Sequence, residues 1–190
     1  DSRQVIPTAW VLAAQKRWTP TPPAGAPMCS LGVDVAQGGS AKTVLAPRYD
    51  QWFDRLIAIP GKETPLGADV AAVIFKYIRN NATVVVDTGG GYGLGAYEHL
   101  KLNNINVVGY KGAGGSSART KDRQLAFFNK RAESWWRLRE ALDPDQPGGS
   151  AIALPYDSEL AADLTAVRYD IVPRGIKCED KDDVVKRLGR

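Results

Sequence analysis

The chain has 190 residues, a length that implies one domain with at most a short appendage, able to bury about 70% of its unfolded surface without disulfides or structural metals. Apolar residues make up 44% and charged residues 24%, which excludes a disordered tail, a fibre or a collagen-like repeat. Lysine and arginine outnumber aspartate and glutamate by 25 to 21, and the resulting net charge of +4 permits a polyanionic partner without requiring one.

No stretch approaches 18 consecutive apolar residues, and Asp1, Arg3, Lys16 and Arg17 interrupt the region where a secretory leader would need an apolar core. The expectation is a soluble cytosolic chain with no membrane partner. Cys29 and Cys178 read as two reduced thiols. His99, the single histidine, has no nearby Cys or Ser and reads as an ordinary helix residue, so catalysis would have to run on carboxylates, lysines or a cofactor.

In chain order, residues 1–27 read as a lead-in. A short amphipathic helix begins after Pro7 and runs to Lys16, and the proline-rich stretch from Thr19 to Pro27 is an extended linker. The compact domain is expected from Met28. Leu31 to Ala36 reads as a buried strand, with Thr43 to Arg48 and Trp52 to Ile59 following at hairpin spacing around a Tyr49-Asp50-Gln51 turn. A helix is predicted over Pro65 to Arg79, ended by Asn80-Asn81, and then a doubly buried strand from Thr83 to Asp87. Gly91 to Leu102 reads as a helix, Ile105 to Tyr110 as a buried strand, and Lys111 to Ser117 as a flexible loop. A long helix with core aromatics is predicted from Gln124 to Leu142. It is followed by a short strand at Ala151 to Leu154, a helix at Asp157 to Ala166, strands at Arg168 to Val172 and Ile176 to Cys178, and a last helix from Lys181 to Leu188. The fold class is mixed α/β: an antiparallel three-strand meander, then crossovers that lay later strands parallel to the first, with helices flanking the sheet.

Asp34 and Asp87 interrupt or end apolar strands, where a carboxylate is costly unless it is paired or coordinated, and glycines follow each at Gly38-Gly39 and Gly89-Gly90-Gly91. If the first and fourth strands are adjacent and parallel, the two carboxylates face one another across about 5 Å, an arrangement suited to divalent metals. The plain alternative makes Asp34 a turn residue and Asp87 a helix N-cap.

This pattern resembles the nuclease domain of the large terminase subunit of tailed bacteriophages, an RNase H-like family. The resemblance begins with Val5-Ile-Pro-Thr-Ala-Trp-Val and Arg17-Trp18. It continues through Leu31-Gly-Val-Asp-Val-Ala-Gln-Gly-Gly, Val86-Asp-Thr-Gly-Gly-Gly, the segment Phe128 to Trp136, Leu154-Pro-Tyr-Asp and the segment Glu179 to Gly189. It implies that Asp34 and Asp87 are catalytic ligands of two Mg²⁺ or Mn²⁺ ions, lying about 3.5–4 Å apart, in an endodeoxyribonuclease that cuts concatemeric phage DNA during genome packaging. It further implies double-stranded DNA as a partner without sequence specificity, an ATPase motor preceding residue 1 in the same polypeptide, contact with portal protein and small terminase subunit, and action in the cytoplasm of the infected bacterium.

Two departures stand out. Ser40-Ala41 occupies a position that is often acidic in the family, and the family's last metal-binding aspartate follows the Lys-Arg-Leu-Gly-Arg segment on which this sequence stops. The expectation is a third ligand beyond Arg190, with Glu179, Asp182 or Asp183 as substitutes, and weak or single-metal occupancy of the pair alone. Lys111, Arg119, Lys121 and Arg123 are candidate DNA-backbone contacts. Two rival readings are a non-catalytic docking module and, from Gly91-Tyr-Gly-Leu-Gly-Ala96, a dinucleotide-binding oxidoreductase.

Overall fold

A computed structural model describes residues 3–36 and 38–189. The chain divides into two compact units, one spanning residues 19–111 and the other combining residues up to 18 with residues from 112 onward. Among the described residues no helix is long and apolar enough to cross a membrane, and Cys29 and Cys178 are both unbridged.

The first unit is built on a six-stranded mixed sheet: β1 (Ser30–Asp34), β2 (Lys42–Tyr49), β3 (Trp52–Phe53), β4 (Ile57–Pro60), β5 (Thr83–Asp87) and β6 (Val107–Tyr110). β2 runs antiparallel to β1, β3 and β4, whereas β5 lies parallel to β1 and β6 parallel to β5. The meander followed by parallel strands is therefore as expected. One expected strand, Trp52 to Ile59, is broken in two at residues 54–56, where the Asp54 carboxylate takes the Arg55 N–H at 2.7 Å.

Helices α2 (Gly67–Tyr77) and α3 (Leu94–Leu102) pack on one face of the sheet. Leu31 and Val33 of β1, Val84 and Val86 of β5, Val70 and Ile74 of α2, and Leu100 of α3 form the dry core. The two helices cross closely at Gly67, where an added Cβ would lie 2.4 Å from the Gly95 carbonyl carbon. β5 alternates buried and half-buried residues rather than being buried on both faces, and β6 leaves Val108 49% exposed. β5, expected to be buried on both faces, is thus single-faced, and β6, expected to be buried, has only half-buried and exposed residues where it closes one end of the described sheet.

In the second unit, α1 (Thr8–Lys16) starts after Pro7 as predicted, but the stretch expected to be lead-in contributes to a core: Val5, Ile6, Val11 and Ala14 are fully buried. The backbone explains it, since Val5 N donates to Val167 O and Tyr169 N to Arg3 O, pairing the N-terminal stretch with the chain entering β7 (Tyr169–Val172). β7 and β8 (Gly175–Cys178) form a separate antiparallel hairpin.

The long helix α4 (Lys130–Leu142) begins six residues later than predicted. Asn129 caps it, accepting from Ala132 N at 2.9 Å, and residues 126–128 are taken up by pairing with β8 through Phe128 N to Ile176 O and Ile176 N to Ala126 O. Phe127 is buried as expected of a core aromatic; Trp136 is half-buried and meets Tyr169 edge-on at 5.0 Å. Ile152, Ala153 and Leu154 are buried, but they hold only an irregular stretch, with Leu154 N bonding Ala14 O on α1, not the predicted strand. α5 (Ser158–Ala166) is capped by Asp157, and α6 (Lys181–Leu188) ends at Gly189 in the left-handed region.

Candidate metal centre

β1 and β5 lie side by side with Val33 opposite Val86, so Asp34 and Asp87 each stand one position further on, at the carboxyl ends of adjacent parallel strands. Strand periodicity then decides the face. Because Val33 and Val86 point into the core beneath α2 and α3, Asp34 and Asp87 point the other way, as do Gly32 and Val85. Both aspartates line a concave site of about 260 Å³ with Gly32, Val44, Val85 and Tyr110. Ligands of α/β sheets gather at such carboxyl ends.

The exposures differ from the expectation of buried charge. Asp34 is exposed and Asp87 half-buried, so the cost of burying an unpaired carboxylate does not single out Asp34; the shared face does. Asp87 is oriented by its own turn, with Gly89 N donating to Oδ1 at 2.8 Å, but it does not cap a helix as its plain alternative had it: Thr88 stands at the N-cap of the short turn that follows and Gly93 at that of α3. The turn is tightly held. Gly90 has φ +69°, and a Cβ on Gly93 would sit 2.0 Å from the Asp87 carbonyl oxygen. Only glycine lets α3 start this close to β5. On the β1 side, Thr43 Oγ1 accepts from Ala36 N at 3.1 Å and lies 2.8 Å from Thr64 Oγ1, anchoring the chain just beyond Asp34 with two fully buried hydroxyls.

Two hard anionic side chains on one face suit Mg²⁺ or Mn²⁺, which take oxygen ligands and leave remaining positions to water and phosphate. Among the described residues no group of three or more His, Cys, Asp or Glu side chains converges to hold a metal. Glu179, one of the substitutes considered, is committed elsewhere: Arg187 Nε and Nη2 donate to its two oxygens at 2.9 and 2.7 Å, and Arg168 N donates to Oε2. The Arg187 hydrogen bond holds the Glu179 carboxyl below its ordinary range. Asp182 and Asp183 lie exposed in the first turn of α6.

All four candidate DNA-contacting cations are exposed. Lys111 follows β6 in the first unit, whereas Arg119, Lys121 and Arg123 share one tight turn of the second. That turn is closed by Thr120 N to Leu125 O and Arg123 N to Thr120 O, and Lys121 N donates to Glu140 Oε1. The Lys111 to Ser117 segment, expected to be flexible, is instead tied to the start of α4: Lys130 N bonds Gly114 O, Arg131 N bonds Gly112 O, and Ser116 Oγ donates to Glu133 Oε2 at 2.7 Å. Tyr110, which sequence reasoning assigned no role, pairs with Asp87 across the β5–β6 register and lines the site. Its signal was available, since it ends the third parallel strand at the same sheet edge.

The glycine pattern that suggested dinucleotide binding is accounted for by packing. Gly93 lies against β5, and a Cβ on Gly95 would come within 3.3 Å of Gly67 Cα.

No protein-family model and no curated protein matches this sequence. Solved structures do match in fold. The chain is similar to the nuclease domain of the large terminase subunit of bacterial virus Sf6, at TM-score 0.68 and 19% identity, over 98% of this chain and 92% of that one. Point variants of the same Sf6 domain, one solved with manganese and β-thujaplicinol and one with calcium, match at TM-scores of 0.69 and 0.68, each with 18% identity and the same coverage. The chain thus has the RNase H-like fold of a large-terminase nuclease domain.

Proposed function

We propose that this chain is a metal-dependent endodeoxyribonuclease domain of a large terminase subunit, which cuts concatemeric phage DNA during genome packaging. The observation that carries the reading is the placement of Asp34 and Asp87 one step past a parallel register pair, on one face and in one concave site. The fold shared with the Sf6 nuclease domain, which has been solved with manganese and with calcium, supports a divalent ion at this position. Such an ion, when bound, activates water and stabilises the leaving oxygen of a phosphodiester.

The chain's own part is positional. Register holds the two carboxylates together, and the Gly89 N–H fixes the orientation of Asp87. Both carboxylates repel the phosphate until a cation neutralises them, which couples DNA cleavage to metal binding. In this reading the complete site takes two ions, with a further acidic ligand joining the pair, and Lys111, Arg119, Lys121 and Arg123 hold the duplex backbone. The same reading gives the domain an ATPase motor in the same polypeptide, portal protein and small terminase subunit as partners, and the cytoplasm of the infected bacterium as its place of action. A second reading, a weakly cutting docking module, is favoured by the two-carboxylate count among the described residues.

Plasmid cleavage with Mn²⁺ tests the proposal. Cutting should fall by more than roughly 100-fold in Asp34→Asn and in Asp87→Asn, a loss beyond the range typical of outer-shell partners. Cleavage that survives both substitutions refutes the assignment, and an unsubstituted chain that binds Mn²⁺ without cutting supports the docking reading.

A further inference from the structure

The hairpin β7–β8 carries two cations that converge on one aromatic ring. The Arg174 guanidinium lies 4.4 Å from the centroid of the Phe128 ring and the Lys177 ammonium 5.3 Å from the same centroid. The two charges therefore lie within about 10 Å of one another, at most about one Debye length at 0.1 M salt, so their repulsion is only partly screened. Among the described residues neither has an acidic partner. Asp170 stands across the ladder from Lys177, but its carboxylate is engaged by Arg3.

The backbone fixes this arrangement. Phe128 N donates to Ile176 O and Ile176 N to Ala126 O, so the ring and the two cations belong to one hydrogen-bonded ribbon. Gly175, with φ +111°, lets the turn between the strands close on Ala126, where a Cβ would come within 2.2 Å of the carbonyl oxygen. Ala126 also bridges Arg119, which joins the ribbon to the turn bearing Lys121 and Arg123. Exposed cations that flank one half-buried ring, with the neighbouring Asp170 carboxylate taken by Arg3, are arranged for an anionic partner, and the spacing of two fixed charges suits successive phosphates better than a single small ion.

We propose that Arg174 and Lys177, positioned by Phe128, form a clamp for the phosphodiester backbone of duplex DNA. The identity of the polyanion rests on the nuclease reading above; the clamp itself rests on the hairpin geometry. Each contact is electrostatic and reads no base, so its effect is the same for every sequence.

The test is fluorescence anisotropy of a labelled random-sequence duplex in EDTA, which separates binding from cleavage, over a fourfold range of salt. Replacing both cations, Arg174→Gln with Lys177→Gln, should flatten the slope of log affinity against log salt by about 1.8, so that the unsubstituted chain loses about 12-fold more affinity across that range than the double variant. Phe128→Leu should flatten the slope part of the way while both charges remain. The control pair, Lys76→Gln with Lys101→Gln, removes two exposed lysines that each lie over a separate tyrosine ring, Tyr77 and Tyr97. It should leave the slope within about 0.3 of the original, well below the change expected for one phosphate contact.

A slope unchanged in the Arg174/Lys177 variant, or lowered equally in the control pair, overturns the clamp. Tighter binding to a single strand than to the duplex overturns its assignment to duplex DNA. Failure of the nuclease reading shows separately, as absence of Mn²⁺-dependent cutting by a chain whose salt slope still responds to Arg174 and Lys177.

Discussion

Gly93→Ala sets two opposing effects against each other at the point where α3 meets the candidate site. Gly93 has φ −84° and ψ −9°, an ordinary right-handed conformation, so alanine is allowed there and by itself would stabilise by about 0.4–1 kcal/mol through the unfolded chain. Against this, the added Cβ would lie 2.0 Å from the Asp87 carbonyl oxygen and 2.8 Å from Val86 Cγ1. Both atoms belong to β5, which is held between β1 and β6 and has no room to retreat. Overpacking of this kind costs about 1–3 kcal/mol and occasionally more, and contact with backbone places it at the upper end. The clash wins, with a net loss of about 2 kcal/mol, equivalent to about 4–8 °C in Tm for a chain of this length. The assay is thermal unfolding followed by circular dichroism beside Gly115→Ala, where an added Cβ meets nothing within 4 Å and no reduction in Tm is expected. Because the displaced atom is the carbonyl of Asp87 itself, Gly93→Ala should also weaken Mn²⁺ binding. A Gly93→Ala chain that melts at or above the unsubstituted Tm would refute the packing argument.

Thr43→Val keeps the volume but leaves the half-buried Ala36 N–H without its 3.1 Å acceptor and the fully buried Thr64 hydroxyl without its Thr43 partner; a loss of about 1–3 kcal/mol is expected in chemical denaturation. Asn129→Ala removes the cap of α4 and should cost about 1 kcal/mol in the same measurement. Glu179 has a carboxyl held below its ordinary range by Arg187, so its pairing contributes stability above the unfolded pKa of about 4.3 and loses it as pH falls through the lower folded value. The Tm difference between the unsubstituted chain and Glu179→Gln should accordingly be largest near neutrality and close in acid, and a gap that widens below pH 4 would contradict the pairing.

The sheet was legible because its signals are local. Leu31-Gly-Val-Asp and Val84-Val-Val-Asp are short apolar runs bounded by glycines, and helices α2, α3, α5 and α6 follow apolar spacing and caps with boundaries moved by only a few residues. Asp34 and Asp87 stand out in the sequence as carboxylates at apolar strands, although only Asp87 is half-buried and Asp34 is exposed. What brings them together is the parallel register of β1 and β5, a relation between residues over fifty positions apart that a composition of strands does not contain. The misses share that cause. Residues 124–129 have helical spacing, yet residues 126–128 pair with β8, and the N-terminal stretch reads as a lead-in, yet Arg3 to Val5 pair with the chain entering β7. In both cases a long-range ladder overrode a local preference. The glycines of the Lys111 to Ser117 loop suggest flexibility, but its carbonyls serve the first amides of α4, a demand set by the helix end rather than by the loop.

In the proposed function Asp34 and Asp87 together hold a divalent ion. Titration of Mn²⁺ into the chain, followed by loss of the free-ion electron paramagnetic resonance signal, tests it without requiring turnover. Binding should weaken by roughly 10-fold or more in Asp34→Asn and again in Asp87→Asn, as removal of a direct ligand should exceed the loss of an outer partner. Mn²⁺ affinity unchanged in the double Asn variant would contradict it.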